Sequence, residues 1–223
     1  MRADIDLRVH IGSDVLDQGY RPTCVAFASS SAHEALLGGA GSHLAPEAIW
    51  WQATVAGHTS ANGMILDAAG PALTGYGQPG LSSWPYNHSL GAATEEPPTG
   101  LSKPPWRRAN LQPVELKHDG IEDAIENELE RTRPVILVIE LTDGFHLPDE
   151  EGVVPAPDVR ADAGGYHAVI CVGAANHPVY GRMLLIKNSW GEDWGLGGYC
   201  WLPIGYLIGF AAQAAIVEDE TEK

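Results

Sequence analysis

Positive charge is scarce in this chain of 223 residues: 13 Lys and Arg stand against 29 Asp and Glu, a formal net charge of −16. Nucleic-acid binding needs a basic face to meet phosphates, so that class of partner is excluded. The acidic balance fits a solvated surface. Cysteine is also scarce, with only Cys24, Cys171 and Cys200, too few for a disulfide framework and in keeping with a reducing compartment. Long hydrophobic runs are missing. The longest, residues 204–217, is interrupted by Gly205, Gly209 and Gln213, and the start Met1-Arg2-Ala3-Asp4-Ile5-Asp6 has no apolar stretch of the kind a signal peptide carries. A membrane partner is therefore not expected. The expected location is cytoplasmic, with export by a signal-peptide-independent route left open.

What is present divides the chain in two. From Cys24 to Leu37 the residues are almost all apolar or small, which reads as a helix packed on every side and ended by Gly38-Gly39. Pro46 and Glu47 open a second helix, and a third is expected over 64–73. Residues 87–113 are rich in Pro, Gly and Ser and read as a linker or surface crossover. Asp119 and Glu122 suggest a capping box before an amphipathic helix that carries Ile121, Ile125 and Leu129. Strands are expected at 135–140, 166–173, 183–188 and 199–202. Helices early and strands late imply an α+β fold of two subdomains: helical over about 11–110, β-rich over about 111–212, with an acidic, frayed tail at 213–223.

Four residues have the chemistry of nucleophilic catalysis. Cys24 opens the first helix, where free backbone N–H groups and the macrodipole favour a thiolate. His167 can act as the acid and base, Asn188 can accept the imidazole N–H, and Gln18 can aim its amide at an oxyanion beside the Cys24 N–H. Each has a plainer reading. A cysteine in an apolar helix is more often a small buried hydrophobe, one histidine among nine means little, and Gln18 alone is a polar loop residue. It is the set, in this order and spacing, that points to catalysis.

Gln18-Gly19 followed by Cys24-Val25-Ala26-Phe27-Ala28 resembles the oxyanion glutamine and nucleophile helix of the papain-like cysteine peptidase family. Asp6-Leu7-Arg8, Leu44-Ala45-Pro46-Glu47, Asn62-Gly63, Trp84-Pro85-Tyr86, Tyr166-His167-Ala168-Val169 and the block from Lys187 to Gly195 continue the likeness over nearly the whole chain. The resemblance implies a helical left subdomain, a β-barrel-like right subdomain and an active-site cleft between them. It implies Cys24 as nucleophile, His167 as acid/base, Asn188 as orienter, Gln18 as oxyanion donor and Trp190 as a shield over the His–Asn bond. It places peptide contacts at Asn62, Gly63, Met64, Gly165, Ala168 and Trp190, and requires no metal or cofactor.

The expected activity is hydrolysis of peptide or protein substrates through a thioester, as an endopeptidase of intracellular or effector type, expected to be bacterial. The same acyl-enzyme could serve an acyl transferase or peptide ligase, and a catalytically idle binding module is a third reading. Two departures stand out. Arg21-Pro22-Thr23 occupies the place of the family's second cysteine, and Val25 that of its tryptophan, so Arg21 is expected to add positive charge near the thiolate. The likeness begins within a few residues of Met1. The family's inhibitory propeptide is thus expected to be missing, whether because the sequence is one domain of a longer protein or because none is made.

Overall fold

The computed structural model describes residues 2–11, 14–38, 43–155 and 165–220. Its first half is helical. A short strand β1 (Ile5–Asp6) and a 3-10 turn (Arg8–His10) lead to α1 (Cys24–Ala35) and α2 (Pro46–Val55), a hairpin of β2 (Thr59–Ser60) with β3 (Gly63–Met64), and α3 (Ala69–Gly75). The second half holds β4 (Asn110–Val114), α4 (Ile121–Leu129), β5 (Val135–Glu140), a single-turn α5 (Asp143–His146), β6 (Tyr166–His177), β7 (Gly181–Lys187), β8 (Tyr199–Pro203), α6 (Ile204–Phe210) and β9 (Ala211–Glu218). The α+β class is as expected.

One antiparallel sheet organises the molecule, in the order β4-β9-β5-β6-β7-β8, with β1 pairing to β6 beyond the end of β5. Strand side chains alternate between faces, and each face of β5 and β6 feeds a different core. Val135, Leu137, Ile139, Val169 and Cys171 pack with α4 and α6, while Ile136, Ala168, Ile170 and Val172 pack with α1 and the other early helices. The two subdomains therefore meet through the sheet itself, along the strand that bears His167.

Four expectations need correction. Residues 213–218 are not tail: Ala214, Ala215, Ile216 and Val217 are buried in β9, between β4 and β5. Their apolar run belongs to the sheet, and charge begins only at Glu218. The crossover ends early, because 110–113 pair with β9. The third helix is confined to Ala69–Gly75: Gly63, at φ +114°, sits in a hairpin, and a 3-10 turn precedes the helix. Pro71 then lies in the first helical turn, where its missing N–H costs no bond. The capping box is absent. Gly120 takes the N-cap position in a left-handed conformation, with no side-chain cap. The first helix ends near Ala35, and the Gly39 half of its expected stop lies outside the described residues.

Candidate active site

Cys24 is the first residue of α1, which packs on β6. The backbone N–H groups of Ala168, Val25 and Cys24 itself lie on the side of its sulfur and favour the thiolate. The first of these puts the thiol one residue from His167. Burial pushes the thiol up, and this outweighs the lowering by those three N–H groups. The expected effect of the helix terminus is present, but alone it does not make a thiolate. A counter-charge is needed.

His167 is buried on β6. Its Nε2–H donates to Asn188 Oδ1 at 2.7 Å, which fixes the tautomer and leaves Nδ1 free to exchange a proton. Burial drives the imidazole down to about 4, against the Asn188 bond, which raises it. Trp190 stacks on the ring at 4.7 Å and 30°. Phe145 meets Trp190 edge-on at 5.5 Å, and His146 lies almost parallel to it at 5.3 Å. These rings keep water from the His167–Asn188 bond. Asn188 Oδ1 also accepts the Ser189 N–H at 2.8 Å, so its orientation is set twice.

Gln18 comes to this centre by backbone pairing. Its N–H donates to the Ser189 carbonyl at 2.8 Å, and Asp17 bridges to Trp190. Its side-chain amide is held at both ends: Ser189 Oγ donates to Oε1 at 2.6 Å, and Nε2 donates to the Arg21 carbonyl at 2.8 Å. One amide hydrogen remains uncommitted. Gln18 is thus tied to the loop that holds Asn188, Asn188 is bonded to His167, and Cys24 opens the helix packed on the strand that bears His167.

The expected peptide contacts scatter more widely. Asn62 is exposed at the tip of the β2–β3 hairpin. Gly63 brings that hairpin against Pro22, where a Cβ would stand 3.2 Å from the carbonyl oxygen. Met64 and Cys24 pack against the same core. Gly165 is exposed and accepts the Leu141 N–H through its carbonyl at 2.8 Å, while Ala168 is buried and meets the sulfur by its backbone. Trp190 is a cover for His167.

Arg21 does not project toward the thiol. Its guanidinium is buried against Glu47, and this corrects the expectation of added positive charge beside Cys24. Phe145 and His146 carried no signal in the sequence, because they sit in a single helical turn without periodicity, and Ser189, within the Lys187–Gly195 block, was assigned no role of its own. Among the described residues no cluster of three or more His, Cys, Asp or Glu could hold a metal, and no helix is long and apolar enough to cross a membrane.

Comparison with known proteins points the same way. The family model for papain family cysteine protease matches residues 2–216. The thiol protease aleurain of Arabidopsis thaliana is 28% identical over 222 residues, covering 92% of this chain and 56% of its own length. The oryzain gamma chain of rice (Oryza sativa subsp. japonica) is 35% identical over 106 residues, covering 43% of this chain and 26% of its own. The chain thus spans from about a quarter to just over half the length of these curated relatives. Among solved structures, xylellain, a cysteine protease from Xylella fastidiosa, superposes with a TM-score of 0.77 at 21% identity, over 98% of this chain and 87% of its own. Digestive procathepsin L 3 from the larval midgut of Tenebrio molitor gives 0.73 at 21%, over 97% and 70%. At that identity the likeness is one of fold.

Proposed function

The chain belongs to the papain family of cysteine proteases, and from that premise we propose that it hydrolyses peptide bonds through Cys24, His167, Asn188 and Gln18. The observation that carries this reading is the 2.7 Å bond from His167 to Asn188, stacked beneath Trp190, with Cys24 opening the helix that packs on the strand of His167.

The chemistry follows from the two protonation states. A thiol pushed up and an imidazole pushed down are both neutral at rest, and each resists ionising alone. Transfer of the thiol proton to His167 Nδ1 makes both charges together, so that each stabilises the other. The thiolate attacks the peptide carbonyl and a C–S bond forms. The carbonyl oxygen becomes an oxyanion that receives the Cys24 N–H and the second Gln18 amide hydrogen. Collapse breaks the C–N bond as His167 returns its proton to the leaving amine. Water then loses a proton to His167 and attacks the thioester, the second oxyanion collapses with cleavage of the C–S bond, the acid leaves, and the Cys24 thiolate regains its proton from His167. Asn188 keeps the ring in one tautomer throughout.

We take the substrate to be a peptide or protein cut at internal bonds. The test is cleavage of a diverse peptide library by the wild type and by Cys24→Ala, with products read by mass spectrometry. Internal cuts by the wild type and none by Cys24→Ala are expected. Iodoacetamide should label Cys24 and spare Cys171 and Cys200, both buried, with the Cys171 thiol pushed up to about 12. Cleavage that survives in Cys24→Ala, or no cleavage while Cys24 alkylates readily, overturns the reading.

A further inference from the structure

Three residues before Cys24 lies a side chain that the chemistry does not use. Arg21 and Glu47 are both fully buried, with side-chain exposures of 0%. Removing two charges from water costs several kcal/mol per ion, recovered only where the geometry is good and every donor is satisfied. Here each of the five guanidinium N–H groups has its own acceptor. Nε donates to the Gly91 carbonyl at 2.9 Å. Nη1 donates to Glu47 Oε2 at 2.5 Å and to the Asn87 carbonyl at 3.0 Å. Nη2 donates to Glu47 Oε1 at 3.2 Å and to the Ala93 carbonyl at 2.8 Å. Glu47 Oε1 also accepts from Thr94 Oγ1 at 2.8 Å. A planar fork satisfied at five points has a single orientation.

That orientation reaches the reacting centre through the backbone of Arg21. Its carbonyl accepts both Gln18 Nε2 at 2.8 Å and the Thr23 N–H at 2.9 Å, so it joins the oxyanion amide to the residue before the nucleophile. Tyr86, whose ring lies 4.6 Å from the guanidinium carbon, closes the circuit. Its hydroxyl donates to the Gln18 carbonyl at 3.0 Å and meets Thr23 Oγ1 at 2.6 Å.

We infer that Arg21 is a positioning residue for the oxyanion site. Its fork, seated on Glu47 and on three carbonyls of the 87–93 segment, fixes where the Arg21 carbonyl stands. The carbonyl in turn fixes the Gln18 amide relative to Cys24. The site so formed takes the oxyanion of the peptide-cleavage reaction, and the inference rests on that reading of the function. It predicts a split between two reactions of the same thiol. Hydrolysis of a peptide amide needs the oxyanion donors, whereas alkylation by iodoacetamide passes through no oxyanion.

The decisive variant is Arg21→Lys, which keeps the charge for Glu47 but replaces the fork with one ammonium point. Arg21→Met with Glu47→Leu is a second, since a buried ion pair is often replaced by apolar side chains without loss of stability. In a variant with a cooperative thermal transition, kcat should fall about 10- to 100-fold, somewhat less than the ~10²–10³ seen when an oxyanion donor is removed outright. KM and the rate of Cys24 alkylation should stay as in the wild type. A separate readout is the Gln18 side-chain amide in ¹⁵N NMR, with one hydrogen protected from exchange in the wild type and both exchanging freely in the variant.

Wild-type kcat in a folded variant overturns the inference and leaves the peptidase reading intact. A common fall in hydrolysis and alkylation, or failure of both variants to fold, also overturns it, by making the role purely structural. If the wild type cleaves nothing, the peptidase reading fails, and the Gln18 exchange data still decide whether Arg21 positions that amide.

Discussion

The burial of His167 makes a stability prediction that can be isolated from the other histidines, of which His33 is shifted in the same direction by its own burial. Its imidazole titrates at an ordinary 6.5 when unfolded and is driven by burial to about 4 in the fold, so between those values the unfolded chain binds the extra proton. Stability from this group is complete above pH 6.5 and is lost as pH falls toward 4. The full gap of about 2.5 units corresponds to about 3 kcal/mol at 1.36 kcal/mol per unit. Between pH 7 and pH 5 the same two values give a loss of about 2 kcal/mol. Cys24→Ala is the proper background, because a thiolate would hold a proton on His167. Urea unfolding of Cys24→Ala and of Cys24→Ala/His167→Gln at both pH values isolates the contribution, since every other titrating group cancels in the double difference. With a slope of about 2–3 kcal/mol/M, the extra loss appears as a midpoint shift of roughly 0.7–1 M urea. Equal losses in the two variants would refute the argument, because His167 would then titrate as if exposed, and Trp190 would shield nothing. Restoring Cys24 should shrink the loss if the thiolate–imidazolium pair forms on the path to attack.

Three further outcomes follow from the packing. Trp190→Ala opens the His167–Asn188 bond to water, so the His167 titration followed by NMR should move up from about 4 toward 6.5, with a fall in kcat. Glu47→Ala strands the Arg21 charge and should cost about 3–5 kcal/mol in thermal or urea unfolding, while Arg21→Met/Glu47→Leu should cost less than either single change. Gly77→Ala combines a φ of +72° with a Cβ that would overlap the Arg107 carbonyl. The left-handed backbone alone costs roughly 1–2 kcal/mol and the clash adds to it, so a smaller loss in urea unfolding would mean the two chain segments are not held together as described.

The parts of the fold that were legible in the sequence are those whose signal is local. Strand β5 matches its expected range, and β6 and α1 begin at their expected residues, because apolar runs and helix-forming small residues act over a few positions. Strands β4 and β9 were not legible. Asn110 pairs with Glu218 across more than a hundred residues, and neither strand has partners nearby in the chain. Ala214 to Val217 look like the end of an apolar stretch until β4 and β5 flank them. The same divide runs through the site. Cys24, His167 and Asn188 could be named as candidates because each sits in a short patterned block, whereas His146 and Phe145 reach Trp190 only through tertiary placement.

Arg21 shows most sharply why charge in a sequence does not give its direction. An arginine three positions before a cysteine reads as a cation beside a thiol. What decides otherwise is Glu47, 26 residues on, which opens α2 and would serve that helix's positive end by itself. Carbonyls from 87, 91 and 93, within a segment that reads as a plain crossover, then complete the fork. With its charge paired to Glu47 in the interior, the arginine is not the free cation that the sequence suggests, and the role inferred for it runs through its own carbonyl. The consequence for the reaction is specific. On the proposed mechanism the proton that leaves Cys24 is stabilised by His167 and Asn188 and not by Arg21, so the activity should depend more steeply on the shielding of that pair than on any basic residue in the loop.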